Sequence, residues 1–236
     1  MGDDESMLSI VNSANVACGG HAGDPETMFR TCRTAADNGV VIGAHPGYAD
    51  REGFGRRIIP MRPDEIGRMV VAQIAALAAI ARLAETEVRY VKAHGALANL
   101  AAADAVVAAG IVNAVRTAFP TLALLAISGT QLELVARAAN VEVYSEIFAD
   151  RAYQPNGQLV PRGEPGAVIH DATAAARRLI SFVETGRMAV VGADPIPLDA
   201  HSICVHSDTP GAVDMARHIR EQLVGAGLTP RPFLPT

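Results

Sequence analysis

The chain has 236 residues, of which 50% are hydrophobic and 19% charged, a balance that requires a buried core and excludes an unfolded polymer. A net charge of -5, no Trp and 4% aromatic residues leave neither a basic face nor a stacking platform, so nucleic acid is not an expected partner. Cys18, Cys32 and Cys204 are an odd set without C-x-x-C spacing, which suggests neither a disulfide framework nor a zinc knot and fits a reducing compartment.

The chain opens on an acidic stretch, Met1-Gly2-Asp3-Asp4-Glu5, without a signal-peptide pattern. The longest apolar run, 70–81, is interrupted by Gln73 and too short to span a bilayer. A cytoplasmic protein with no membrane partner is therefore expected. Short apolar runs predict strands over 9–18, 40–44, 88–92, 122–127, 141–147, 188–191 and 202–205. Helices are predicted between them, over 25–38, 63–84, 103–118, 131–139, 173–185 and 210–226. Asp24-Pro25 and Thr209-Pro210 each set a capping side chain before a proline at the first helical position, and Asp171 can cap the helix beginning near Ala172. Arg62 is a poor cap, but Asp64 and Glu65 suit the positive start of the next helix. The stretch 150–166 is irregular, and Asn156-Gly157 within it is a hairpin signal that suits either a flap over a site or simply a long connection.

Strands alternating with helices imply an α/β fold with a parallel sheet, in one domain over 1–236. Periodicity leaves open whether that sheet is a doubly wound layer or a closed barrel. In either, active sites gather at the C-terminal ends of the strands. Polar residues follow the apolar runs at those ends: His21 and Asp24, His45 and Asp50, Lys92 and His94, Glu146 with Asp150 and Arg151, and His206 with Asp208. Lys92 is the only lysine, and on an extended segment it shares a face with His94, two residues on. Read singly, each has a structural explanation: Asp24 as a helix cap, Asp208 as a turn residue, Cys18 and Cys204 as small buried side chains, and any one histidine as a hydrogen-bonded structural group. Four of the seven histidines at equivalent strand ends point instead to a polar active site.

No G-x-x-x-x-G-K-[ST], G-x-G-x-x-G or G-x-S-x-G motif is present, which argues against nucleotide-loop, dinucleotide and serine-hydrolase chemistry. Histidines, carboxylates and one lysine suit general acid–base hydrolysis. Without H-x-x-x-H or comparable spacing the metal signal is weak, and the identity of any metal stays unknown.

Six ordered motifs carry a family resemblance. They are Ser13-Ala14-Asn15-Val16-Ala17-Cys18-Gly19-Gly20-His21-Ala22-Gly23-Asp24-Pro25, Gly43-Ala44-His45-Pro46-Gly47-Tyr48, Gly53-Phe54-Gly55-Arg56-Arg57, Val91-Lys92-Ala93-His94-Gly95-Ala96-Leu97, Phe148-Ala149-Asp150-Arg151-Ala152-Tyr153 and Cys204-Val205-His206-Ser207-Asp208-Thr209. Together they resemble the LamB/YcsF family, that of the A subunit of bacterial 5-oxoprolinase. The resemblance implies an irregular (β/α) barrel, TIM-like and of the glycoside hydrolase/deacetylase type. It also implies ATP-dependent opening of the cyclic lactam 5-oxo-L-proline to L-glutamate, in a complex with subunits B and C. A homo-oligomer is left open. The family usually begins with a strand reading roughly D-L-N-x-D-x-G-E, so this chain is expected to lack the usual first strand, through a start assigned too far downstream. Gly20, Ala93 and Ala98 replace the more common Phe, Pro and Tyr, and are expected to widen the site or loosen its loops.

On this reading, phosphorylation of the lactam oxygen activates the carbonyl carbon, and one of His21, His45 or His94 activates water. Lys92 stabilises the developing negative charge, an effect of about 3 kcal/mol for one well-placed donor. Asp208 or Asp24 orients a histidine tautomer, and Arg151 holds the substrate carboxylate. Asn15, Asp150 and His206 complete the substrate-binding set. Replacing Lys92 with Met is expected to abolish turnover and leave the fold intact. Two alternatives stand beside this: a metal-dependent amide hydrolase or deacetylase using His21 and His45, and a non-catalytic subunit that binds a small cyclic ligand.

Overall fold

The computed structural model describes residues 4–206 and 211–234. Six strands form one parallel sheet in the order β1 (Ser13–Ala17), β2 (Val41–His45), β3 (Val88–Val91), β4 (Ala123–Ile127), β5 (Val143–Phe148) and β8 (Ser202–Cys204). The order never reverses, so there is no switch point of the doubly wound kind. Right-handed crossovers then set the helices that connect the strands on one face of the sheet. That decides between the two architectures left open by periodicity. β1 and β8 are the edges and line a common cavity, an arrangement that fits an incomplete barrel.

Period-two alternation separates the two faces. Ile42 and Ala44, Val91, Leu124 and Ala126 turn outward into a core shared with α2 (Pro25–Asp37), α3 (Pro63–Leu83) and α5 (Ala105–Ala118). Ile147 does the same against α7 (Ala172–Thr185) and α8 (Ala212–Gly225). The intervening residues point inward. Tyr90, Leu125 and Tyr144 form the bottom layer, plugged by Phe233 and Leu234 from the C-terminal segment. Two residues further along their strands, Lys92, Ile127 and Glu146 occupy the layer above. Where β1 and β8 part, α1 (Asp4–Leu8) packs on α8 through Met7, Ala212 and Ala216. Arg220 ties the segment after α1 down, donating to the Ile10 carbonyl at 2.8 Å and to Asn12 Oδ1 at 3.2 Å.

The caps read from sequence form: Asp24 accepts the Thr27 N–H, and Asp171 accepts those of Thr173 and Ala174. Glu65 accepts the Arg62 N–H at 2.8 Å, which repairs the poor cap. The Thr209-Pro210 cap lies outside the described residues. Around Asn156-Gly157 the chain does turn back, with Tyr153 bridged to Leu159 and Gly157 at φ 83°.

Three expectations are corrected. The predicted strand 188–191 is not in the parallel sheet. It forms β6 (Arg187–Val190), which pairs antiparallel with β7 (Ala193–Pro197) through a turn at Gly192, φ 70°. The predicted helix 103–118 begins at Ala105, capped by Asp104, and is preceded by a separate helix, α4 (Gly95–Ala103), at 114° to it. α3, at 21 residues, is long and apolar enough to cross a membrane by length and composition alone. Its apolar stripe, Ile66, Val70, Ile74, Leu77 and Ala81, is instead buried in the core.

Candidate active site

The barrel interior opens into a cavity of about 1040 Å³ at the C-terminal ends of the strands. Asn15, His21, His45, Lys92, His94, Arg151 and His206 all line it. Two other predicted site residues do not. Asp24 is exposed and both its oxygens are taken by Thr27, as a cap should be. Asp150 stands behind His206. Asp208 lies outside the described residues.

Lys92 leaves the tip of β3 and is buried. Its ammonium pairs with the buried carboxylate of Glu146 and donates to Cys204 Sγ at 3.1 Å. Burial opposes the charge on Lys92, but its partners outweigh that and hold it above the usual lysine range. Burial, with Glu146 adding, pushes the Cys204 thiol up to about 12, so it is neutral and Glu146 is the balancing charge. Among the described residues Glu146 and Cys204 take two of the ammonium's three donors, and the third is available to a ligand. The face of Phe148 lies 5.0 Å from Nζ.

Three imidazoles converge beside this pair. His21 stacks on His94 with ring centroids 3.6 Å apart, and His45 meets both edge-on. His45 Nδ1 bonds the Lys92 carbonyl at 2.7 Å, and His94 Nε2 bonds the Phe54 carbonyl at 2.8 Å. Their remaining nitrogens face one another at 3.1 Å. Burial first, then His94, Arg56 and Arg51, pushes His21 down to about 3, so it is neutral at physiological pH. Its buried Nδ1 has no hydrogen-bond partner among the described residues.

The loop 50–57 sets the Phe54 carbonyl. Asp50 clamps it, pairing with Arg57 and accepting the Gly53 N–H at 3.0 Å. Gly55, at φ 64°, lies so close that a Cβ there would sit 2.7 Å from His21 Cβ and 2.9 Å from His94 Cδ2. Gly20 does not widen the cavity as expected. The Gln73 amide fills that space, donating to the Gly47 carbonyl at 2.7 Å and accepting its N–H at 3.1 Å.

On the far wall, His206 Nδ1 donates to Asp150 at 2.8 Å, which leaves Nε2 on the opposite side of the ring from the carboxylate. Burial raises the Asp150 pKa, but the His206 hydrogen bond, the attraction of His206 and Arg162 and a backbone hydrogen bond together outweigh it and hold the carboxyl below its usual range. Asp150 thus fixes a tautomer of His206, a kind of role assigned from sequence to Asp24, which is instead a helix cap, or to Asp208, which lies outside the described residues. Arg151 donates to the Val160 carbonyl at 2.5 Å and the Ala167 carbonyl at 3.3 Å, so its guanidinium anchors the flap. From that flap Leu159, Pro161 and Arg162 reach the cavity. Asn15 Oδ1 accepts the Tyr90 hydroxyl at 2.9 Å.

Sequence reasoning set Glu146 on the polar rim but gave it no role in the site, and it left out the Phe54 carbonyl. Glu146 had a signal: it is a carboxylate inside an otherwise apolar strand. A backbone carbonyl has none. Among the described residues no group of three His, Cys, Asp or Glu side chains is arranged to hold a metal ion.

The family model described as LamB/YcsF matches residues 1–235. The A subunit of a 5-oxoprolinase of Nocardia farcinica is 49% identical over 234 residues, covering 99% of this chain and 93% of that protein. The first of the 5-oxoprolinase A subunits of Agrobacterium fabrum is 46% identical over 233 residues, covering 99% and 91%. Among solved structures, a lactam utilization protein from Thermus thermophilus superposes with a TM-score of 0.91 at 39% identity, covering 98% of this chain and 92% of that one. With the match running from end to end, the chain is a member of the LamB/YcsF family.

Proposed function

We propose that this chain opens the lactam ring of 5-oxo-L-proline to give L-glutamate, as the A subunit of an ATP-consuming complex with subunits B and C. The observation that carries this reading is the meeting of Lys92 with three imidazoles in one cavity, in a chain whose relatives are named as 5-oxoprolinase A subunits.

A lactam carbonyl resists attack because nitrogen lone-pair donation stabilises it. Phosphorylating its oxygen removes that protection. Lys92, with Arg56 and Arg162 lining the same cavity, supplies positive charge for the phosphoryl group and for the tetrahedral centre. His21, neutral and lining the same cavity, serves as base for the attacking water. His206, held by Asp150, and the Asn15 amide bind the substrate's polar groups. The barrel is of the TIM-like, glycoside hydrolase/deacetylase type on this reading. The cytoplasm, which keeps three free thiols reduced, is its compartment.

The test is reconstitution. Glutamate release from 5-oxoproline is measured with this chain alone, with subunits B and C, and with and without ATP. Glutamate is expected only from the full set with ATP. A complete, folded complex that makes none ends this reading.

A further inference from the structure

The hydrogen bonds of His45 and His94 cannot all form between two neutral rings. A backbone carbonyl only accepts, so His45 Nδ1, 2.7 Å from the Lys92 oxygen, must carry hydrogen. So must His94 Nε2, 2.8 Å from the Phe54 oxygen. A neutral imidazole has a single N–H, and each ring has now used its own. The two nitrogens left, His45 Nε2 and His94 Nδ1, are 3.1 Å apart and would meet as two lone pairs. One further proton between them turns that repulsion into a charge-assisted hydrogen bond.

We propose that His45 and His94 share one proton as a singly charged pair, and that this pair protonates the lactam nitrogen as the ring opens. The second half of the inference rests on the ring-opening reading above. Among the described residues, His21 stacks on His94 and Lys92 acts on His45 from the tip of β3, Arg51 and Arg56 of the neighbouring loop act on His21, and the Cys18 thiol accepts the His45 backbone N–H at 3.1 Å. Burial, then His94, Lys92 and His21, lowers the pKa of His45 far below its usual range, so His45 is the acceptor end of the pair. A proton held against burial and like charge is readily given up, as a general acid requires.

The chemistry needs such an acid at one place. Water adds to the phosphorylated lactam to give a tetrahedral carbon bearing hydroxyl, phosphate and amine. Phosphate leaves without a proton. If it leaves first, the lactam is regenerated and ATP is spent for nothing. The amine leaves only when protonated: the C–N bond breaks, its electrons stay on nitrogen, and nitrogen carries off the pair's proton. The hydroxyl gives its own proton to water and becomes the carbonyl of an acyl phosphate. A second water then releases phosphate and leaves glutamate, and the pair regains a proton from solvent.

Two measurements test this. With 15N-histidine labelling, NMR of the unmutated chain should show one exchangeable proton correlated with both rings, lost in His45→Asn and in His94→Gln. Each replacement keeps an N–H for the carbonyl its ring bonds. Two lone-pair nitrogen signals from the unmutated pair overturn the shared proton. In the reconstituted complex, phosphate and glutamate are then counted together. The unmutated complex should release them in equal amounts, whereas His94→Gln should keep releasing phosphate while glutamate falls about a hundredfold or more. Equal loss of both products overturns the acid role. An unmutated complex that makes no glutamate sinks the ring-opening reading instead, and the NMR result still decides the proton.

Discussion

Lys92 and Glu146 form a buried ion pair across the inside of the barrel, from strands β3 and β5, which are separated by β4. Neither side chain meets the other along the sheet, because strand neighbours do not pair these positions. Only curvature brings their tips together, and the pair ties two walls of the cavity to one another.

This pairing revises what removing the lysine does. Lys92→Met is expected to abolish turnover, but it also strands a buried carboxylate. Breaking such a pair from one side costs about 3–5 kcal/mol. Urea unfolding should show that loss, and Lys92→Met combined with Glu146→Gln should recover most of the stability and none of the activity. A single variant as stable as the unmutated chain would mean that the pair carries no structural role.

His21 makes the fold sensitive to acid. Its pKa falls from the usual 6.5 to about 3 on folding, so below 6.5 the unfolded chain binds a proton that the folded one refuses. Stability from this group is complete above 6.5 and is lost as pH falls towards 3, by at most about 1.4 kcal/mol per pH unit. Asp150, held below its usual range, acts in the same direction at lower pH. Urea midpoints at two pH values on either side of the histidine transition should diverge less in His21→Phe than in the unmutated chain. Equal acid sensitivity in both would exclude His21 as the source.

Gly55 allows the loop 50–57 to lie against the imidazoles. In Gly55→Ala the new methyl meets His21 and His94, and the backbone must hold a positive φ. Strain of this kind costs about 1–3 kcal/mol. Because the Phe54 carbonyl fixes His94, kcat should fall more than KM rises. An unchanged kcat would show that the carbonyl does not position the ring.

Arg220 latches α1 to α8 where no strand pairing closes the ring among the described residues. Arg220→Ala leaves the Ile10 carbonyl without this donor and should cost about 1–3 kcal/mol. Hydrogen exchange should rise over residues 4–12 and stay level in β3 and β4. Uniform exchange along the chain would point to global destabilisation instead.

Much of the site was readable because of where strands end. Each apolar run fixes where a parallel strand stops, and the polar residue just beyond it belongs to the shared rim. That rule found His21, His45, Lys92, His94 and His206, all of which line the cavity. It overreached at Asp24, where the same rim also holds helix caps, and the cap won because its backbone N–H groups are closer than any ligand. It missed α4 because Ala96 to Ala103 is nearly all small and apolar, with no polar face to mark a period. It misread 188–191 because an apolar run says that a segment is extended and not which partner it takes.

Alternation of strand and helix, the capping residues, the flap turn and the membership of the polar rim follow from the sequence alone, since each depends on residues close together in the chain. Tertiary structure decided the rest. The Arg220 latch between α8 and the segment after α1, the Lys92–Glu146 pair, the His206–Asp150 bond and the meeting of His45 with His94 each depend on atoms brought within about 3 Å from distant segments. Sequence spacing carries no distance on that scale, and a shift of about one ångström is enough to make or lose a hydrogen bond.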